Sequence, residues 1–251
     1  VANRARKLAA ALHRLGVRPG DRVGTFCWNC QEHLEAYFAV PCMGVVLHTL
    51  NIRLFPEQIA YIVNHAEDKI VLADACFIPL LERLQPRLPT VQQYVVLTDE
   101  AHLPATNLRK AVAYESLIAD EPEEFCWPSF PESTVSSLCY TSGTTGNPKG
   151  VEYTHRSNFL HALVNNGKDA LGVAATDTLL MVVPMFHANS WGLAYSCPMV
   201  GAKLVLPGAR LDGKSVYELL DREQVTMSAG VPTVWNMLLT HPGEQGLKLP
   251  H

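Results

Sequence analysis

No stretch of the chain approaches the roughly 18 uninterrupted apolar residues that a membrane-spanning helix requires. The most apolar run, residues 36–50, is broken by Pro41 and His48. Excess charge is lacking too. Twenty Lys and Arg against 24 Asp and Glu leave a net charge of −4, without the basic surplus that nucleic acid binding draws on. Internal repeats and low-complexity tracts are absent. With 48% hydrophobic and 18% charged residues, the composition is that of a folded globular chain rather than a disordered one. There is no paired cysteine framework. The seven cysteines (27, 30, 42, 76, 126, 139 and 197) are odd in number and scattered among apolar neighbours, which points to reduced thiols and a cytoplasmic protein. Cys27-Trp-Asn-Cys30 is the one C-x-x-C, and no second Cys or His pair stands at zinc-ligand spacing, so it reads as a strand end running into a loop. No secretory leader is expected, and the sequence opens on Val1 inside an amphipathic pattern rather than on methionine. Its natural start is therefore expected upstream.

What is present is an alternation. Ala5, Leu8, Ala9, Leu12 and Leu15 recur at helical spacing until Gly16. A short strand is expected over 22–27, a helix over 32–40, and a buried segment from Gly44. Pro56 and Glu57 suit the first turn of a helix ending near His65. Strands are predicted at 70–73 and 94–97, with a helix over 78–84 between them. Short apolar strands alternating with helices argue for an α/β fold with mainly parallel, doubly covered sheets. Residues 99–132 are polar, acidic and punctuated by Pro104, Pro122, Pro128 and Pro131, and read as a connection between two subdomains, 1–98 and 133–251. In the second, strands are expected at 135–140, 150–153, 179–183, 203–206 and 225–229. Helices are expected at 157–164, near Gly192, and at 215–223 and 232–239.

One segment carries chemistry on its face. Tyr140-Thr-Ser-Gly-Thr-Thr-Gly-Asn-Pro-Lys-Gly150 holds three glycines, four hydroxyl side chains and one lysine. Glycines let backbone approach a ligand closely, successive N–H groups make an anion-seeking nest, and hydroxyls and a mobile ammonium complete a polyphosphate site. A Walker A loop runs from strand into helix and ends in Gly-Lys-Ser/Thr. Here Pro148 precedes Lys149 and the β-prone Gly150-Val-Glu-Tyr153 follows, so a strand-loop-strand hairpin is expected.

This segment resembles the signature loop of the adenylate-forming superfamily: acyl-CoA synthetases, luciferases and peptide-synthetase adenylation domains. Val183-Pro-Met-Phe-His-Ala-Asn-Ser-Trp191 is similar to the gate segment of long-chain fatty acyl-CoA synthetases, and Ala229-Gly-Val-Pro-Thr-Val-Trp235 to the segment lining their acid pocket. Upstream, His33-Leu-Glu-Ala-Tyr-Phe-Ala-Val-Pro41, Leu47-His-Thr-Leu-Asn-Ile-Arg-Leu54 and residues 57–68 resemble bacterial medium- and long-chain fatty acid ligases. The likeness covers nearly the whole chain.

The resemblance implies a fold, the N-terminal large-domain portion of these enzymes, and a reaction. A fatty carboxylate attacks the α-phosphorus of ATP to give acyl-AMP and pyrophosphate, and the thiol of coenzyme A then displaces AMP. It places Thr141 near Mg2+ and phosphate oxygens. Ser142, Gly143, Thr144, Thr145, Gly146 and Lys149 are expected around the β- and γ-phosphates. His187 stands where a gate-segment histidine neighbours the α-phosphate, so it is expected to act catalytically with Lys149 and, with Ala188, to contact the nucleotide. Trp191 matches the indole that gates the acyl tunnel, and Gly230, Val231 and Pro232 are expected to line the acid pocket along with Thr233 and Trp235. His155 is read as structural. Asn147 departs from the hydrophobic residue often found there, at a turn position before proline where it should matter little. The family's later motifs would follow residue 251, so the chain is expected to hold half a site and to be inactive alone. An aryl-acid ligase, a peptide-synthetase adenylation domain and, from another class, a non-catalytic nucleotide- or acyl-binding module are the alternatives. A homodimer and transient peripheral membrane contact are expected from the resemblance, and a nucleic acid partner is not.

Overall fold

A computed structural model of the chain describes residues 1–141 and 147–245, with side chains to residue 240. The chain divides into two compact units, one of residues 1–27 and 31–157, the other of residues 28–30 and 158–251.

The first unit opens with α1 (Ala2–Arg14), whose buried Ala5, Leu8, Ala9 and Leu12 form the stripe its spacing predicts. It ends at Leu15, before Gly16 at φ +87°. Next come β1 (Arg22–Phe26), α2 (Gln31–Cys42), β2 (Val46–Thr49) and α3 (Pro56–Ala66). Pro56 takes the first turn of α3, where its missing N–H would have no partner, and Glu67 closes the helix in the left-handed conformation. β3 (Ile70–Asp74), α4 (Ile78–Leu84), β4 (Gln93–Leu97), β5 (Val112–Ala113), α5 (Tyr114–Ile118), β6 (Val135–Thr141) and β7 (Lys149–Thr154) complete it.

The strands form one sheet in the order β5-β4-β3-β1-β2-β6-β7, parallel throughout except for the β6–β7 pair. Val71, Ala73, Tyr94 and Val96 pack with Ile59, Ile62 and Val63 of α3 and Leu81 and Leu84 of α4. Ile70, Leu72 and Val95, one residue out of phase along the same strands, are equally buried on the opposite face. Burial of both faces is why these strands read as continuous apolar runs.

An ionic network binds the helices of the first unit. Arg4 of α1 donates to Glu35 of α2 at 2.6 Å and, through both terminal nitrogens, to Glu115 of α5 at 2.9 and 2.7 Å. The Tyr114 hydroxyl donates to the other Glu35 oxygen at 2.6 Å.

The placement of the division differs from the sequence reading. Residues 99–132 are not a bare connection: they supply the edge strand β5 and α5, which packs on β4. Strands β6 and β7, expected in the second subdomain, pair onto β2 and extend the first sheet, and the boundary falls between 157 and 158. Proline-rich composition signalled irregular backbone correctly, but irregular backbone can pack on a sheet edge as well as bridge domains.

The second unit holds most of α6 (His155–Asn165), together with β8 (Thr178–Met181), α7 (Leu193–Val200), β9 (Lys203–Val205), α8 (Gly213–Arg222), β10 (Met227–Ala229) and α9 (Pro232–Gln245). Its sheet is parallel, in the order β10-β8-β9, and its core gathers Leu180, Val182, Val205, Val216 and Leu238.

Candidate functional site

The hairpin at the edge of the first sheet has the strand-loop-strand form expected of a flap. Thr141 pairs with Lys149 and Tyr140 with Gly150 across the antiparallel ladder. Both Thr141 and Lys149 are exposed, at the two feet of the loop, and the Thr141 hydroxyl donates to the Lys149 carbonyl at 3.4 Å. Ser142, Gly143, Thr144, Thr145 and Gly146 lie outside the described residues.

The base of the hairpin is held firmly. Tyr140 is buried, and its hydroxyl shares a 2.6 Å hydrogen bond with Nδ1 of His65 at the end of α3. Burial raises the phenol to about 12, so it stays protonated at neutral pH. Its ring lies across Gly150: a Cβ there would stand 3.1 Å from Leu138 and 3.3 Å from the Tyr140 ring. Those contacts leave little room for a side chain at Gly150. His48 contacts the opposite side of the cluster, 5.1 Å from the Tyr140 ring centroid, and its Nδ1 faces both oxygens of fully buried Asp68 at 2.9 and 2.8 Å. Burial pushes the Asp68 carboxyl up. His155, half-buried against Phe130, is lowered from its ordinary value by burial, consistent with a packing role.

In the second unit the two segments singled out by resemblance leave the same edge of one sheet. Residues 182–191 follow the C-terminal end of β8, and residues 230–232 follow that of β10, its parallel neighbour. In open α/β sheets ligands bind at this edge. A Cβ on Gly230 would lie 3.2 Å from Trp235 and 3.5 Å from Val182, so the two segments touch where they emerge. Trp235 folds back to donate to the Gly230 carbonyl at 3.0 Å, while Val231 and Pro232 are exposed.

Asn29, hidden from the sequence reading inside the C-x-x-C, holds the backbone that follows β8. It is buried and donates to the carbonyls of Met181 (2.8 Å) and Val183 (2.9 Å), and its oxygen accepts from the Met185 N–H (2.7 Å). All seven cysteines stand outside disulfides.

Beyond exposed His187 the backbone turns left-handed for five residues. Ala188, Asn189, Ser190 and Trp191 have φ of 44, 49, 56 and 55°, and Gly192 has 74°. For residues with a Cβ this conformation costs roughly 1–2 kcal/mol each, so the surroundings must hold it. The Ser190 hydroxyl donates to the Val183 carbonyl at 3.0 Å, and three α6 side chains face the turn. Asn158 accepts from Asn189 at 3.4 Å, and His161 and Asn165 reach the Trp191 carbonyl at 3.1 and 2.8 Å. A Cβ on Gly192 would come within 2.4 Å of the His161 ring, so only glycine passes there. The sequence carries a signal for this that was missed. Asn158, His161 and Asn165 stand at intervals of three and four along α6, interleaved with Phe159, Leu160, Ala162, Leu163 and Val164. That polar stripe faces the turn, while Phe159, Leu160, Leu163 and Val164 are exposed.

The chain is 49% identical over 245 residues to a medium-chain-fatty-acid–CoA ligase of Ectopseudomonas oleovorans, covering 98% of this chain and 45% of that protein. It is 49% identical over 249 residues to a long-chain-fatty-acid–CoA ligase of Thermus thermophilus, covering 99% and 44%. A 3-methylmercaptopropionyl-CoA ligase of Ruegeria lacuscaerulensis is 46% identical over 249 residues, covering 99% and 46%. The chain therefore spans a little under half the length of these relatives. The N-terminal domain of FACL13 from Mycobacterium tuberculosis superposes with a TM-score of 0.84 at 24% identity, over 99% of this chain and 59% of that one, a likeness of fold. The profile of the AMP-binding enzyme family matches residues 1–250, and with its signature hairpin in place the chain belongs to that family.

Proposed function

We propose that the chain is the nucleotide- and acid-binding portion of an AMP-forming fatty acid:CoA ligase. A carboxylate oxygen of a medium- or long-chain fatty acid attacks the α-phosphorus of ATP. The bond to the bridging oxygen breaks, pyrophosphate leaves, and acyl-AMP forms. The sulfur of coenzyme A then attacks the acyl carbon and AMP departs with the bonding pair. Such chemistry rests on positioning and charge neutralisation. The observation that carries the reading is the hairpin, which sets the Thr141 hydroxyl and the Lys149 ammonium, both exposed, at the two feet of a glycine- and hydroxyl-rich loop.

In this reading Thr141 and Lys149, with Ser142, Gly143, Thr144, Thr145 and Gly146, embrace the β- and γ-phosphates. His187 and Ala188 meet the nucleotide near its α-phosphate, where the imidazole steadies developing charge. Trp191 bounds the acyl passage with Gly230, Val231 and Pro232. Thr141 offers a hard oxygen suited to Mg2+. Among the described residues no group of three or more His, Cys, Asp or Glu could hold a metal ion, so the ion would arrive with the phosphates and Thr141 would be one of its ligands. Bound there, Mg2+ neutralises phosphate charge.

Titration calorimetry tests the reading. The chain should bind Mg2+-ATP, and Lys149→Ala should weaken that binding about tenfold, or about 1.4 kcal/mol, at unchanged melting temperature. Failure to bind ATP overturns the proposal. Fatty acids from octanoate to palmitate should bind in preference to benzoate or amino acids. A second reading follows from the relative named for 3-methylmercaptopropionyl-CoA, and tighter binding of 3-methylmercaptopropionate than of octanoate would favour a short thioether acid. We further place the protein in the cytoplasm, as a homodimer with only transient membrane contact. The cysteines outside disulfides support the compartment, and among the described residues no helix is long and apolar enough to cross a membrane. Cell fractionation and sedimentation velocity check these assignments.

A further inference from the structure

The left-handed turn of residues 188–192 is tied at both ends, and the indole of Trp191 stands between the ties, 39% exposed. At its entrance the Ser190 hydroxyl holds the carbonyl of Val183, just past β8. At its exit Asn165, itself buried, donates through Nδ2 to the Trp191 carbonyl at 2.8 Å and to the Ser196 hydroxyl oxygen at 3.3 Å. Ser196 in turn donates to the Gly192 carbonyl at 3.0 Å. Two successive carbonyls of the turn are thus gripped by one pair of polar side chains. His161, more exposed, adds a contact to the same Trp191 oxygen at 3.1 Å. A carbonyl only accepts, so His161 meets it with Nε2 protonated.

We propose that Asn165 is a positioning residue that latches this turn and so sets the direction in which the Trp191 indole points. Side chains with a Cβ avoid left-handed backbone, so Ala188 to Trp191 keep it only while hydrogen bonds outweigh the strain. Of the two groups on the Trp191 carbonyl, the Asn165 amide is the one shielded from competing water, where a hydrogen bond is strongest. Without it the Trp191 carbonyl keeps only the water-exposed His161, the turn relaxes towards right-handed or extended backbone, and the indole swings with it. Gly192 is the pivot, the residue that meets no steric penalty on either side. The inference rests on the reading of Trp191 as a gate: a gate needs two positions, and a strained turn with one buried latch supplies them.

The test is 19F NMR of the protein labelled with 5-fluorotryptophan, its four tryptophans (28, 127, 191 and 235) giving one line each. Trp191→Phe assigns the line of interest. In Asn165→Asp, an isosteric change that replaces the donor with an acceptor, the Trp191 line should move by several linewidths while the other three stay. A Trp191 line that keeps its position in a folded Asn165→Asp protein overturns the latch. Should that variant fail to fold, Ser196→Ala leaves the amide in place and removes one of its two partners. It should shift the same line in the same direction by a smaller amount, and no shift again overturns the latch. Adding Mg2+-ATP and dodecanoate to the unaltered protein tests the gate separately. A Trp191 line that answers the ligands but ignores the substitutions refutes the latch alone. One that answers the substitutions but neither ligand refutes the gate while the latch stands.

Discussion

Glu35 is fully shielded from solvent yet carries a carboxylate, and the residues around it explain how a helix can hold such a group. One of its oxygens accepts from Arg4 at 2.6 Å and from Gln31 at 2.8 Å, and the other accepts from Tyr114 at 2.6 Å. Tyr114 is driven upward in pKa, by burial first and by the adjacent carboxylate second, and remains a donor. Removing one partner of a buried ion pair strands the other in a poor dielectric. Arg4→Met keeps much of the volume and should lower the unfolding free energy in urea by about 3–5 kcal/mol. A loss below about 1 kcal/mol, typical of a solvent-screened pair, would show that Glu35 is hydrated in solution. Asn165 and Asn29 belong to the same class of residue. Each is a buried amide that donates to backbone carbonyls between residues 181 and 191.

Element ends show local chemistry most directly. Asp212 caps α8, accepting from the Ser215 N–H at 3.0 Å and from its hydroxyl at 2.7 Å. Asp212→Ala should cost about 1 kcal/mol. The Ser215 hydroxyl first, and the Ser215 N–H second, hold this carboxyl below its ordinary value. The native state therefore favours the charged form. Its stabilisation is complete above the unfolded pKa of about 3.9 and fades as pH falls through the lower folded value. Urea midpoints of native and variant proteins should differ at pH 7 and converge in acid. A difference that persists at the lowest pH would rule out the charged cap as its source. The hairpin of β6 and β7 follows the same logic in packing rather than charge: Gly150 has the space of a hydrogen because the Tyr140 ring occupies the place of a side chain.

At the scale of the whole chain, each unit closes a sheet around its own core. Leu72 sits without exposure in the first sheet and Leu180 without exposure in the second. Truncating either to alanine should cost about 2–5 kcal/mol, set by how far the neighbours relax into the cavity. Hydrogen-exchange mass spectrometry should find the loss of protection in β1, β3 and β4 for Leu72→Ala and in β8 and β10 for Leu180→Ala. Unchanged exchange in the strand carrying the substitution would show that the site collapses without a cavity. Family membership and the coverage of its relatives belong to this scale as well, since a match along residues 1–250 reflects the order of many segments, not one loop.

The sequence by itself determined most of the element order, the parallel character of the sheets and the hairpin formed by β6 and β7. Each of these rests on local information: apolar runs set strands, spacing of three and four sets helices, and Pro148 followed by β-prone residues sets a flap instead of a helix N-terminus. It also marked Trp191 and Gly230 to Pro232, through resemblance. Only the tertiary structure decided where the units divide, because β6 pairs with β2 across ninety positions of chain and no local pattern records a partner so distant. It alone revealed that the polar stripe of α6 meets the turn of residues 188–192, that Asn29 anchors the backbone following β8, and that this turn is left-handed. A strained backbone is stable only when contacts from elsewhere in the fold hold it, and those contacts exist only once the chain has folded.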